Sequence, residues 1–207
     1  MISATLLCFL GASVAFTLAP GPDTTCIVAQ GVSRGRKAAI FTALGMCSGV
    51  SVHTTAAALG ISAALTSCAA LFTLLKWAGA AYLLFLAWKA VREPGGILPQ
   101  TVAAAPGAWA YFRRGFLMNV INPKVALFFL AFLPQFVVPG SGGMGAQMFW
   151  LGLVFMLQAV VVLSGIAVLA GSVGEALQRN PGVARGFAWL TAGIFAALGL
   201  RLVFAQR

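Results

Sequence analysis

Six long apolar runs, set apart by short polar or basic stretches, organise the chain. The first spans about Ile2 to Leu18, is interrupted at Pro20-Gly21-Pro22-Asp23, and resumes to about Gly31. The others cover about Ala38 to Leu65, Ala69 to Val91, Gly115 to Val137, Ala146 to Ala170 and Gly186 to Phe204. About 20 predominantly apolar residues carry a helix across a bilayer. The pattern therefore predicts an all-α membrane protein of six transmembrane helices. One connection is longer: residues 93–112, rich in Pro, Gly and Ala, read as a flexible linker. Within it Trp109, Tyr111 and Phe112, just before Arg113-Arg114, read as an interfacial anchor.

Helices one and four are broken at proline motifs. Pro20 and Pro22 remove two backbone donors and clash with the turn before them, while Gly21 lets the backbone bend. Asn119-x-x-Asn122-Pro123-Lys124 is the matching break in the fourth run. The chain thus divides into two half-repeats of three spans, about 1–92 and 113–207, inside a single transmembrane transport domain of residues 1–207. Three is odd, so the halves insert in opposite orientations, as inverted repeats. In span two, Gly45-x3-Gly49-x3-His53 puts three positions on one helical face, which suits close packing in lipid.

Composition narrows the class. The chain is 61% hydrophobic and 8% charged, with a mean hydropathy of +0.99; a soluble domain carries about 25% charged residues. The net charge of +10 does not imply nucleic acid, because the basic residues sit at the ends of apolar runs rather than in one patch. Arg34, Arg36, Lys37, Lys89, Arg92, Arg113, Arg114, Arg179 and Arg185 fall on one side of the six-span arrangement. Arg201, Arg207 and an outward-reaching Lys76 fall on the other. The positive-inside rule then places the linker in the cytoplasm and both termini outside. The apolar N-terminus lacks a basic leader region, and Leu18-Ala19-Pro20-Gly21 is a poor cleavage site because of its proline, so it reads as a retained first span. Cys8, Cys26, Cys47 and Cys68 have no C-x-x-C spacing and read as small packing residues, with no metal site, redox pair or cofactor implied.

The candidate chemistry lies at the two breaks. Asp23 and Lys124 are each about ten residues from the basic end of their span, hence at comparable central depth. A lone charge there costs ~2.5–3.5 kcal/mol on insertion scales, so the two are expected to face each other. Thr24, Thr25, Asn119, Asn122, Gln135 and His53 add hydrogen-bonding groups, and broken helices add free N–H and C=O groups. That set suits a zwitterion, its carboxylate meeting Lys124 and its ammonium meeting Asp23. The rival reading is an Asp23–Lys124 pair that only locks two kinked helices together. His53 reads more simply as a helix-to-helix hydrogen bond, Lys76 as an anchor, and Gln158 either way.

The order and spacing of these motifs resemble the LysE/RhtB family of bacterial amino-acid exporters along essentially the whole chain. The matching pieces are Pro20-Gly21-Pro22-Asp23, Gly31-x3-Gly35-Arg36-Lys37-Ala38, the Gly45–His53 face and Lys76-x-x-Gly79-Ala80-x-Tyr82-Leu83. Gly115-Phe116-x-x-Asn119-x-x-Asn122-Pro123-Lys124 and Phe132-Leu133-Pro134-Gln135-Phe136 complete the set. The resemblance implies an inner-membrane secondary transporter that exports amino acids or derivatives of the homoserine, threonine, leucine or lysine type. It also implies coupling to protons by antiport, a homodimer as one possible assembly, and no enzymatic role. The rivals are weaker on their chemistry. A divalent-cation exporter wants several carboxylates, and Asp23 is the one acid placed in the membrane. An intramembrane enzyme wants a nucleophile beside a base, and a thiol-redox conduit wants paired cysteines.

Overall fold

The structure, a computed structural model, describes residues 2–61, 69–92, 107–138, 140–179 and 181–204. Among these it is helical, without strands. Helix α1 runs Ile2–Leu18, α2 Pro22–Arg34, α3 Arg36–Ala56 with a π-helical turn at Ala57–Ile61, and α4 Ala69–Arg92. In the second half α5 runs Ala108–Val120 and α6 Pro123–Leu127, continued by a π-helical turn at Phe128–Phe132 and a tight turn at Leu133–Phe136. Helices α7, Met144–Arg179, and α8, Pro181–Phe204, complete the order.

Two stretches, Arg36–Gly60 and Met144–Ala170, are each long and apolar enough to cross a bilayer unbroken. Two bent pairs are long and apolar enough only when their halves are taken together: α1 meets α2 at 52°, and α5 meets the α6 segment at 48°. Helices α4 and α8, 24 residues each, reach ~36 Å at 1.5 Å per residue. The expected multi-pass helical architecture, with both breaks at the predicted proline motifs, is what the chain forms. The surface fits a lipid solvent: all five tryptophans are exposed, as are Leu7, Leu59, Leu157, Val161 and Phe204.

Two boundaries differ from expectation. The 93–112 linker ends sooner, because α5 begins at Ala108. Gly107, with φ of 136°, turns the chain into the helix, and Trp109 stacks on Phe112 one turn later at 5.3 Å. The supposed loop after Ala170 is helical: α7 continues to Arg179, and Pro181 opens α8 at a position where its missing N–H costs nothing. Charged residues there extend a helix beyond the apolar run instead of ending it. Expectations for 62–68, including Cys68, and for 93–106 lie outside the described residues.

Glycines set the crossings. The backbone of α3 at Gly45 lies against the Phe112 carbonyl, and Gly115 of α5 lies against the Thr42 carbonyl, so neither position has room for a Cβ. Gly49 faces Asn119, Gly152 of α7 faces Thr54, and Gly31 faces Ala170. These contacts gather the α2–α3 turn, the start of α5 and the later part of α7 at one end of the bundle. Antiparallel packing of α4 on α8, with Gly79 against Leu202 and Gly199 against Leu83 and Leu84, brings the end of α4 there too. Lys76 lies towards the opposite end, donating to the Val203 carbonyl at 3.4 Å. Arg201 also lies that way, stacking 4.6 Å from the Phe136 ring.

Candidate functional site

The two breaks meet in the bundle interior. At the first, Pro20 and Pro22 bracket Gly21, whose extended backbone (φ −163°) caps α2. Thr24 closes this cap, accepting from the Gly21 N–H at 2.9 Å and donating to its carbonyl at 3.1 Å. Thr24 therefore serves its own helix. Asp23 occupies the first turn of α2, where the helix dipole favours negative charge. Its carboxylate accepts from Asn122 Nδ2 at 2.8 Å and from Asn119 Nδ2 at 3.5 Å, and it remains half-buried.

At the second break Asn122 caps the helix that Pro123 opens: its Oδ1 accepts from the Lys124 N–H at 3.0 Å. One amide thus caps α6 and holds Asp23. Lys124, 4% exposed, sits at the unfavourable end of its own helix for a cation. Its Nζ donates instead to the Ala19 carbonyl at 2.8 Å, at the C-terminal end of α1, where carbonyls are free and the dipole is negative. The Phe16 ring lies 4.6 Å from Nζ and the Phe195 ring 5.0 Å, contacts worth up to ~2 kcal/mol each when desolvated. Gly21 leaves room for this approach, since a Cβ would stand 3.2 Å from Nζ, close enough that the lysine would have to shift by a few tenths of an ångström.

Asp23 and Lys124 both lie at the crossing, close enough to act on each other electrostatically, while their hydrogen bonds run to different partners. Each takes the end of the broken first span whose dipole suits its charge, with neutral amides or rings completing its shell. His53 makes the expected inter-helix bond, its Nε2 3.1 Å from the Asn119 carbonyl, with its ring 5.9 Å from Phe129. Asn119 Oδ1 is buried without a protein partner. Gln135 is not brought to the site: it donates to Ala131 within its own segment at 3.0 Å, beside Phe136, which packs on Phe9 near the start of α1. Thr25 is half-buried on α2.

Several contributors escaped the sequence reading. Phe16 and Phe195 look like ordinary packing residues in apolar runs. Ser13, Thr17 and Gln30 are buried polar residues, each flanked by apolar or small neighbours, and that isolation was their only signal. Cys8, Cys26 and Cys47 are free thiols.

Comparison with known proteins follows the geometry. The LysE type translocator family matches residues 14–206. An uncharacterized membrane protein of Vibrio cholerae is 30% identical over 200 residues, covering 97% of each chain. The homoserine/homoserine lactone efflux protein of Salmonella typhimurium is 30% identical over 162 residues, 78% of each chain. No solved structure matches. Two proline-broken spans around a buried charged centre, and a family match over nearly the whole chain, give one conclusion: this membrane protein belongs to the LysE type translocators.

Proposed function

We propose that the chain exports small zwitterionic amino acids of the homoserine type across the bacterial inner membrane, in exchange for protons. The observation that carries this reading is the crossing of two broken spans. It offers a carboxylate on one helix N-terminus and an ammonium on the neighbouring C-terminus, ringed by amides. The similarity to a homoserine/homoserine lactone efflux protein supports the substrate class. A solute ammonium meets Asp23, and its carboxylate draws Lys124 away from the Ala19 carbonyl. Half-helix ends are well suited to holding both charges away from water.

The basic end faces the cytoplasm under the positive-inside rule, so solute enters beside the α2–α3 turn and both termini lie in the periplasm. Rocking of the two halves about the crossing opens the site to the other side, where a proton on Asp23 releases the ammonium. Export of homoserine from loaded cells is expected to be lost in Asp23→Asn at normal membrane levels of the protein. In the wild type it should collapse when an uncoupler dissipates the proton gradient. Wild-type export by Asp23→Asn would overturn the reading.

A further inference from the structure

Among the described residues, the buried polar side-chain atoms without a protein partner belong to Ser13, Gln30, Asn119 and Gln158. Two of these, Ser13 and Gln158, are joined through Thr17 on the contact between α1 and α7. Gln158 reaches from α7 to α1, donating Nε2 to Thr17 Oγ1 at 2.9 Å, and Thr17 donates to the Ser13 main-chain carbonyl at 2.8 Å. Ser13 is 0% exposed and Gln158 9%. Phe155, one turn before Gln158, lies 6.2 Å from the Phe16 ring, which in turn lies 4.6 Å from Lys124 Nζ. Thr17 is within a turn of Ala19, whose carbonyl holds that ammonium.

The donor and acceptor count is specific. Thr17 is satisfied. Ser13 keeps a hydroxyl that can donate, and Gln158 keeps a carbonyl oxygen that can accept. A hydroxyl group uses both at once; a methyl group leaves both unpaired. We propose that Ser13, Thr17 and Gln158 form the subsite that reads the solute side chain, accepting short α-amino acids that end in a hydroxyl. The inference rests on the export reading above, with the solute's charged groups at Asp23 and Lys124. A hydroxyl two carbons beyond the α-carbon lies roughly 5 Å from its own carboxylate at ordinary bond lengths, and Thr17 stands two residues before Ala19, whose carbonyl holds the Lys124 ammonium.

The test compares homoserine with norvaline, which carries a methyl in place of the hydroxyl, in the full-length protein at matched membrane levels. Gln158→Met removes the acceptor. Ser13→Ala removes the donor but keeps the main-chain carbonyl to which Thr17 bonds, so it barely disturbs packing. Each variant is expected to lower the homoserine-to-norvaline export ratio about tenfold, because a site built to bond a hydroxyl discriminates against its absence. An unchanged ratio in both variants overturns the subsite and leaves the export reading standing. A wild type that exports neither solute overturns both.

Discussion

At the scale of single residues, Asn122 couples the two breaks, since its oxygen caps α6 while its nitrogen bonds Asp23. Those roles are separable. Asn122→Ala loses both, and the cap alone is worth ~1 kcal/mol, so a lower melting temperature and loss of export are expected together. Asn122→Asp keeps a good cap acceptor but sets a second acid against Asp23. It should retain most of the thermal stability and still fail to export at neutral pH. Equal stability loss in both variants would show that the bond to Asp23, rather than the cap, holds the break together. The sequence exposed Asp23 and Lys124 because acids and bases are scarce in apolar runs. It could not expose their partners, because Lys124 bonds a main-chain carbonyl 105 positions away, and any residue type supplies a carbonyl.

At the scale of elements, the Gly45-x3-Gly49-x3-His53 face was legible from spacing alone, and it is the surface α5 packs on. Its consequences differ by position. A Cβ at Gly45 meets the Phe112 carbonyl, which is backbone within a helix and cannot step aside. A Cβ at Gly49 stands 2.9 Å from both Cβ and Oδ1 of Asn119, displacing the side chain that bonds Asp23. Overpacking of this kind costs ~1–3 kcal/mol. Gly45→Ala and Gly49→Ala are expected to lower the melting temperature, whereas Gly11→Ala, with nothing within 4 Å of its Cβ, should be neutral or slightly stabilising. If all three behave alike, the close crossing is not what these glycines provide. The ends of α5 and α7 were less legible, because amphipathic turns beyond an apolar run carry no hydropathy signal. The π-helical turn at Phe128–Phe132 was hidden for another reason: its five apolar residues would fill an α-helix equally well.

At the scale of the whole molecule, the two halves carry the same device in opposite senses. Gly21-Pro22-Asp23 and Asn122-Pro123-Lys124 each place a cap, a first-position proline and a charge at the start of the helix after a break. Across the bundle α3 packs on α7 and α4 on α8, so corresponding spans of the halves touch each other. Helix α2 runs from its break towards the basic end, since Gly31 lies against Ala170; α6 runs from its break away from it, since Phe136 lies against Phe9. Opposite directions from matching breaks are what inverted insertion is expected to produce, and the charges predict which way the pair sits. With Arg34, Arg36 and Lys37 gathered at one end, the positive-inside rule predicts that the basic loops lie inside. Alkaline phosphatase, active only in the periplasm, is therefore expected to be active when fused after Phe204 or within 140–143, and inactive when fused after Lys37. The opposite pattern would turn the site's access routes around, making the α2–α3 end the exit and the Phe136 end the entrance.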